Sequence, residues 1–500
     1  MAAHRTGVEH EAKLIAPFEF EIPELGGLGV GVVAGPALHR VLDATYYDSS
    51  DLALARSGVT LRYRSGEDGP AWTLKLPGGR SATALVRREL VFDEPPGAVP
   101  AAACDLVRAY LRSRVLGPVV RLHTERTAIG LCDRSGAAVA EVVDDVVDAF
   151  DGDRRIGGFR EVEVELTGDH PQGEEILRAA VARLVDAGCR VESPLPKMVR
   201  ALGDAAAVPA DVVLPGLKGK PTMVGLVRHA LASSVARMIE HDPGVRLGAD
   251  PEDVHQFRVA TRRLRSDLRT FSPVLDPAWA RCLRAELRWL AEVVGAVRDN
   301  DVLTERLRGQ ARTLPPADAD ATAALLERLA DQGAAARTAM LDALRTTRHD
   351  DLLDLLVAAA EQPVLADTEK KSANWLVTGV VRGQWRRLAR AVDTLAEPPS
   401  DTELHQVRIL AKRCRYAAEA AVPAACNRAA RFAEVQTVLG DLHDAIVAEA
   451  WLRAAAAGLP GSALAAGELI AVQREENTRQ RAAWPKTWRR ASAPKLRAWC

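Results

Sequence analysis

The segment Glu9-His10-Glu11-Ala12-Lys13, close to the amino terminus, carries the pattern that decides the fold of the first part of the chain. Side chains alternate between the two faces of an extended strand, so Glu9, Glu11 and Lys13 point to the same side. Two carboxylates and one ammonium on one surface suit a divalent cation and the phosphate that accompanies it. A solvated strand surface is the alternative, and the recurrence of the same pattern downstream favours the ligand site.

Period-two alternation continues to about residue 202. It predicts strands at 60–64, 71–76, 86–92, 123–131, 138–147 and 159–166, separated by clusters of Gly, Pro, Asp and Ser. Two stretches, about 101–116 and 174–187, have a helical pattern instead. We therefore expect an antiparallel β domain with a few helices.

Many of these strands carry charge on one face and apolar side chains on the other. The charged sets are Arg62 with Arg64, Thr73 with Lys75, Arg87 with Glu89, Glu141 with Asp145, and Glu161 with Glu163 and Glu165. Each set alone fits a solvated surface, but the apolar faces together need a core, so the charged faces must converge elsewhere. A closed sheet with a charged lumen, covered outside by helices, satisfies both needs. Mixed charges there are costly unless they compensate one another or bind a charged ligand.

The pattern changes after residues 208–221, which are rich in Pro, Gly and Lys. We place the first domain at 5–203, a linker at 204–220 and a helical domain of roughly eight to ten helices at 221–490. The helical half repeats itself. Val254-His255-Gln256-Phe257-Arg258 is echoed by Leu404-His405-Gln406-Val407-Arg408, and Gly295, Arg298 and Asp299 are echoed by Gly440, His443 and Asp444. Two copies of a four-helix unit are expected.

Each copy contains a basic helical stripe. The first consists of His255, Arg258, Arg262, Arg265 and Arg269, the second of His405, Arg408, Lys412 and Arg415, and Arg263 and Arg413 lie beside them. Like charges three and four residues apart destabilise a helix by a few tenths of a kcal/mol per pair, which a bound polyanion would offset. A solvated Arg-rich face is the alternative, and the duplication together with the histidine favours the polyanion.

Bulk composition limits the function classes. Aromatic residues are only 4% of the chain, which argues against base stacking and a nucleic-acid partner. The seven cysteines are scattered without a close pair, as expected for free thiols in a reducing cytosol. The sequence shows neither a signal peptide nor a run of about 18 apolar residues, so we expect a cytoplasmic protein without a membrane partner.

The ordered set Glu9-x-Glu11-x-Lys13, Arg62-x-Arg64, Lys75 and Glu163-x-Glu165 resembles the CYTH domain, the triphosphate tunnel metalloenzyme family. The resemblance implies an eight-stranded antiparallel tunnel that hydrolyses a triphosphate with Mg²⁺ or Mn²⁺, and it makes Glu9, Glu11 and Lys13 the expected catalytic group. The implied phosphate ligands are Lys13, Arg62, Arg64, Lys75, Arg87, Arg126 and Lys197, with Arg200 as the alternative to Lys197. The implied acidic set for metal and water is Glu9, Glu11, Asp145, Glu163 and Glu165, with Asp144 as the alternative to Asp145.

The motifs His255-x-x-Arg258-x-x-x-Arg262-Arg263 and His405-x-x-Arg408-x-x-x-Lys412-Arg413 resemble the CHAD domain, an α-helical family. This resemblance implies polyphosphate binding on a basic surface between two four-helix bundles. The expected fold class is therefore α+β with two domains, a β-tunnel with flanking helices followed by an all-α domain.

Three functions follow from these resemblances. The first is hydrolysis of a triphosphate, most simply inorganic triphosphate, because anion binding alone does not need so many carboxylates. The second is a non-catalytic polyphosphate-binding protein associated with polyphosphate granules in the cytoplasm. The third is a nucleotide cyclase of the same fold, for which the sequence offers no clear base-recognition pocket. The oligomeric state is left open.

Overall fold

The computed structural model describes residues 5–28, 31–66, 71–80, 85–168, 170–191, 195–217, 222–366, 377–421 and 426–493. The chain divides into two compact units, Met1–Asp211 and Val212–Cys500. We call them the tunnel unit and the helical unit.

The tunnel unit is built on one antiparallel sheet. Its strands are β1 (Arg5–Ala16), β2 (Val33–Ala34), β3 (Leu38–Asp48), β4 (Thr60–Ser65), β5 (Ala71–Arg80), β6 (Leu85–Phe92), β7 (Gly117–Cys132), β8 (Ala138–Asp151), β9 (Arg154–Leu166) and β10 (Arg190–Val191). Eight long strands follow the order β1-β6-β5-β4-β3-β7-β8-β9, and β9 pairs with β1 again, which closes the sheet on itself. The predicted antiparallel tunnel is confirmed, with the two-residue strands β2 and β10 added at its margins.

Short helices pack on the closed sheet. They are α1 (Ala53–Arg56), α2 (Ala101–Leu111), α3 (Gly173–Asp186) and α4 (Lys197–Leu202). Helix α4 packs on the inner face, because its Met198 and Val199 share a core with Tyr46 and Val147. Val162 and Val164 of β9 are fully buried in a core with Ile176 and Leu184 of α3. Because side chains alternate along a strand, this packing turns the intervening glutamates of β9 toward the lumen.

The helical unit contains nine α-helices in its described part. They are α5 (Met223–Leu247), α6 (Pro251–Thr270), α7 (Pro277–Ala311), α8 (Ala319–Leu344), α9 (Thr347–Glu361), α10 (Arg382–Asp393), α11 (Asp401–Ala421), α12 (Cys426–Gly458) and α13 (Ala463–Ala491). Successive helices pack against each other within α5–α8 and within α10–α13, and α6 also contacts α11. In the repeat seen in the sequence, α6 therefore corresponds to α11, and α7 corresponds to α12.

Local sequence sets the helix ends that matter for the basic stripes. Helix α6 begins with Pro251, and the Asp250 side chain accepts a hydrogen bond from the Glu252 amide at 2.8 Å. Helix α7 begins in the same way, with Pro277 after Asp276, whose side chain accepts from the Trp279 amide at 2.7 Å. None of the helices in the described ranges is long and apolar enough to span a lipid bilayer.

Candidate functional site

The tunnel unit encloses a charged cavity of about 100 Å³. Its lining is Glu11, Lys13, Tyr46, Thr60, Arg62, Arg64, Lys75, Arg87, Glu89, Arg126, Glu163, Glu165, Pro196 and Lys197. Strand register explains why these side chains meet, because Glu11 lies opposite Glu165 and Lys13 opposite Glu163 in the β1–β9 pair. The lumen therefore contains the two acidic strand faces and the basic faces together.

Lys13 is bound to carboxylates on both sides. Its Nζ lies 3.2 Å from Glu11 Oε2 and donates a hydrogen bond to Glu163 Oε1. Burial alone would lower the pKa of Lys13, but the charges of Glu163 and Glu11 outweigh burial and raise this pKa. Burial alone would raise the pKa of Glu163, yet Lys13, Lys197 and Arg126 hold it well below its ordinary value. Both groups are charged at neutral pH.

Helix α4, which follows the strands of the sheet, contributes a second lysine. Lys197 Nζ lies 3.0 Å from Asp145 Oδ2, 2.7 Å from Glu161 Oε1 and 2.9 Å from Glu163 Oε1. Against the effect of burial, these three carboxylates raise the pKa of Lys197 well above its ordinary value. Arg200, one helical turn further, lies 3.3 Å from Glu161 and does not line the cavity. The cavity thus includes Lys197, and Arg200 lies behind it.

Asp145 lies behind the cavity wall. It is fully buried and accepts two hydrogen bonds from Arg126, Nε to Oδ1 and Nη2 to Oδ2, both at 2.8 Å. Burial would raise the pKa of Asp145, but Lys197 and Arg126 lower it. The bidentate pair fixes the Arg126 guanidinium at the cavity surface. Asp144 faces away from this group and binds Arg160 at 2.7 Å.

The opposite wall supplies the other basic residues. Lys75 lies 3.3 Å from Glu89, and Arg62 donates to the Tyr46 hydroxyl at 3.3 Å. Burial would raise the pKa of Tyr46, and the charge of Arg62 lowers it. Two lining residues on this side, Tyr46 and Glu89, were not predicted as site residues. They lie in the cavity because Tyr46 is opposite Arg62 and Glu89 is opposite Lys75 on neighbouring strands.

The acidic residues offer oxygen ligands for a hard divalent cation. Glu11 Oε1 is buried and makes no hydrogen bond, and Glu165 lies opposite Glu11 on β9. Within the described ranges, no three His, Cys, Asp or Glu side chains lie close enough to hold an ion by themselves. Because Mg²⁺ is commonly bound by one or two carboxylates plus substrate phosphates, this donor set fits the ion in the presence of a phosphate ligand. The side chain of Glu9 lies outside the described part of the chain, and its backbone pairs with Arg87.

The helical unit has its own basic cavity, of about 440 Å³, which we call the helical cavity. Its polar lining is His255, Arg258, Arg262, Arg298, Asp299, Arg306, His405, Arg408, Lys412, His443 and Asp444. An arginine of each copy lies beside one of the two repeated glycines. Arg258 donates to the Gly295 carbonyl at 3.4 Å, and Arg408 lies against Gly440 in the second copy.

Several basic side chains of the helical cavity have a nitrogen atom without a hydrogen-bond partner. The Nε atoms of Arg262 and Arg408 and Nδ1 of His405 are buried and make no hydrogen bond. Burial, together with the neighbouring Arg408, Arg262 and Arg258, lowers the pKa of Lys412 to about 7. Buried unpartnered donors are rare in folded proteins, so this cavity is suited to an anion.

The remaining stripe residues lie outside this cavity. Arg265, Arg269 and Arg413 belong to a cluster with arginines of α7 and α10, namely Arg284, Arg288 and Arg387, and burial with this repulsion lowers the pKa of Arg269 to about 10. The structure therefore separates the predicted stripes into a cavity part and a second arginine cluster.

Arg263 and Arg415 flank Tyr416 at the contact between α6 and α11. Arg263 lies 2.9 Å from Glu419, and Arg415 lies 3.5 Å from the same carboxylate. Asp267 is buried beside them, and burial raises its pKa to about 8, with Glu419 adding to the rise and Arg263 opposing it. These two arginines are thus partnered within the protein.

The sequence did not predict Arg306, which reaches the helical cavity from α7. The second copy of the repeat has no arginine at the corresponding position, so the repeat gave no signal for this residue.

Comparisons with known proteins agree with the division of the chain into a tunnel unit and a helical unit. The CYTH domain model matches residues 9–188, and the CHAD domain model matches residues 229–453. The uncharacterized protein Rv2226 of Mycobacterium tuberculosis is 33% identical over 450 residues, which cover 85% of this chain and 84% of that protein.

Two solved structures are also similar. PptA from Streptomyces chartreusis has 25% identity and a TM-score of 0.46, covering 54% of this chain and 99% of its own. The CHAD domain from the plant Ricinus communis has 25% identity and a TM-score of 0.46, covering 58% of this chain and 97% of its own. The chain therefore belongs to the family of proteins in which a CYTH domain, a triphosphate tunnel metalloenzyme module that uses divalent metals, precedes a CHAD domain.

Proposed function

We propose that the tunnel unit hydrolyses inorganic triphosphate with Mg²⁺ or Mn²⁺ and that the helical unit binds inorganic polyphosphate. The observation that carries the first part is the composition of the tunnel cavity, where phosphate-binding cations and Glu11, Glu163 and Glu165 line the same small volume. Carboxylates repel an anionic ligand, so their presence among the phosphate-binding cations favours a site that also holds a divalent cation.

The basic lining holds the substrate. Arg62, Arg64, Lys75, Arg87 and Arg126 surround the cavity and would neutralise the charge of the transferred phosphoryl group. The fork of Arg126 is already oriented by Asp145, so binding needs little rearrangement there.

The acidic lining directs the attacking water. Glu11 Oε1 lines the cavity, is buried and makes no hydrogen bond, and we assign it, with Glu9, the role of orienting a water toward the terminal phosphorus. The water oxygen forms a bond to phosphorus as the bond to the bridging oxygen breaks, which releases orthophosphate and a chain shortened by one phosphate. Glu9, Glu11, Glu163 and Glu165 are the residues that would hold the divalent ion, which supplies charge neutralisation when bound. Asp145 would act through Arg126 instead, because both of its oxygens are already bound by Arg126 and Lys197.

The test is phosphate release by the full chain from tripolyphosphate, ATP and thiamine triphosphate, with Mg²⁺ or Mn²⁺. Glu11→Gln keeps the shape but loses the charge, and we expect turnover to fall by about a hundredfold or more. Glu125→Gln is the matched control, because Glu125 lies on a tunnel strand with an exposed side chain and should leave turnover unchanged. Undiminished turnover in Glu11→Gln would refute the assigned role.

The alternative function is polyphosphate binding without catalysis, with association to polyphosphate granules in the cytoplasm. The unpartnered donors of the helical cavity favour polyphosphate binding in either case. Absence of hydrolysis of all three substrates, combined with tight binding of long chains, would establish the alternative.

A further inference from the structure

We propose that the helical cavity takes up protons when it binds a phosphate chain, so that its affinity falls as the pH rises through neutrality. This inference rests on the proposed polyphosphate binding by the same cavity. It adds a regulator, the proton, that the basic stripes alone do not suggest.

The two copies of the repeat contribute different chemistry to the cavity. Helices α6 and α7 supply Arg262 and Arg298, which keep their charge at every physiological pH. The corresponding positions of α11 and α12 are Lys412 and His443, which can both release a proton. At these two positions the first copy is therefore permanently cationic, and the second copy is cationic only when protonated.

The environment of Lys412 favours release of its proton. Arg258 and Arg262 of α6 and Arg408 of its own helix repel its charge, and Asp444 of α12 is the attractive neighbour. Burial and the repulsion by these arginines together lower the pKa of Lys412 to about 7.

The histidines respond in the same direction. The rings of His405 and His443 lie 4.3 Å apart between centroids, so protonation of one disfavours protonation of the other. Burial and the nearby Arg408 lower the pKa of both, and Asp444 partly opposes this for His443. Burial and Arg298 lower the pKa of His255 from the α6 side.

The charged groups that line the cavity fix the sign of the effect. From α6, α7, α11 and α12 they are Arg258, Arg262, Arg298, Asp299, Arg306, Arg408 and Asp444. Five arginines against two aspartates leave the empty cavity repulsive to further protons, whereas a bound phosphate chain reverses this and raises the pKa of each titratable neighbour. For each proton taken up by a group with a free pKa near 7, affinity should be about tenfold weaker at about pH 8 than at about pH 6.

The experiment is a calorimetric titration of the full chain with long-chain inorganic polyphosphate at about pH 6, 7 and 8. Long chains are used because their few end groups contribute little proton exchange of their own. Repeating the titration at about pH 7.5 in buffers of different ionisation enthalpy measures proton uptake directly on the unmodified protein.

Lys412→Arg gives the second copy the residue of the first and removes one titrating group. We expect its affinity at about pH 8 to rise toward the value at about pH 6, with a flatter pH profile. Lys486→Arg is the matched control, an exposed lysine of α13 outside the cavity lining, and should keep the profile of the unmodified chain.

The outcomes separate the two proposals. Binding with equal affinity at all three pH values and no dependence on the buffer overturns proton uptake and leaves polyphosphate binding intact. Absence of binding at every pH overturns the proposed function of the cavity and this inference with it. If Lys412→Arg fails to fold, the buffer series on the unmodified chain still decides.

Discussion

The tunnel cavity and the helical cavity are both rich in cations but treat them in opposite ways. In the tunnel, Lys13 and Lys197 are each bound to two or three carboxylates, and their pKa values rise. In the helical cavity, burial and the facing arginines lower the pKa of Lys412 to about 7. Full internal compensation thus gives a permanently charged site. The weaker compensation of the helical cavity, where Asp299 pairs with Arg258, gives a site whose charge depends on the ligand and the pH.

The same difference sets how pH acts on stability. Because the folded pKa of Glu163 lies well below its unfolded value, its stabilisation is complete above about pH 5 and is lost as the pH falls through the folded value. Because the folded pKa values of Lys13 and Lys197 are raised, their contribution is complete below about pH 10 and is lost above it. The tunnel should therefore be insensitive to pH across the neutral range.

The largest effect is expected from Glu163→Gln in the tunnel. It removes the carboxylate that Lys13 and Lys197 share, and breaking a buried ion pair costs about 3 kcal/mol of unfolding free energy. Hydrogen exchange followed by mass spectrometry resolves the two units and should show faster exchange in tunnel strands only. Asp153→Asn, in the exposed β8–β9 turn, is the control, and equal protection in both variants would contradict internal compensation.

An intermediate effect is expected from Arg408→Gln in the helical cavity. Loss of a charge-assisted hydrogen bond to phosphate, worth about 1.5–3 kcal/mol, should weaken polyphosphate binding by about 10- to 100-fold. Burial, with the repulsion of Arg262 and Arg258, outweighs the attraction of Asp444 and lowers the pKa of Arg408. Stability should therefore be unchanged or improved by the substitution, the reverse of the tunnel variant. Arg453→Gln removes an exposed arginine bound to Glu449 and should leave affinity unchanged. A large loss of stability in Arg408→Gln would erase the contrast between the cavities.

The smallest effect, counted per pH unit, concerns Asp267, the buried carboxyl beside Glu419. Its folded pKa of about 8 lies above that of an unfolded aspartate, so the folded state holds a proton that the unfolded state has released between about pH 4 and pH 8. Each pH unit in this window should therefore cost the helical unit about 1 kcal/mol, and Asp267→Asn should remove that slope. Denaturant unfolding at about pH 5, 6 and 7 checks it, and parallel profiles for both proteins would contradict the assignment.

The sequence predicted the tunnel well because strand alternation has only two outcomes per residue. The alternation of β1, β4, β5 and β9 was enough to place Glu11, Arg62, Lys75 and Glu163 on one surface, and the structure brings them to one cavity. The alternation could not show how deeply each inward-pointing side chain is buried below the cavity surface. The side chains of Asp145 and Glu161 also point inward, yet they are fully buried behind Arg126 and Lys197. Only the three-dimensional packing of the site shows this difference.

Prediction was coarser for the helices, because a spacing of three and four residues defines a stripe but not its neighbours. The first stripe extends from His255 to Arg269, and the structure assigns its two ends to different surroundings. Arg306 was missed because the residue has no counterpart in the second copy. Packing between α6, α7, α11 and α12, rather than the stripe itself, decides which cations share a cavity.

The pairing of β1 has a consequence for biosynthesis. Its first residues pair with β6, its last residues pair with β9, and Glu11 lies where the partner changes. The contact between Lys13 and Glu163 spans 150 residues of chain, so β1 leaves the ribosome well before β9 and must wait for it before the ring can close. Contacts of such long range slow folding and leave strand edges exposed meanwhile, which makes the nascent tunnel a natural client for chaperones.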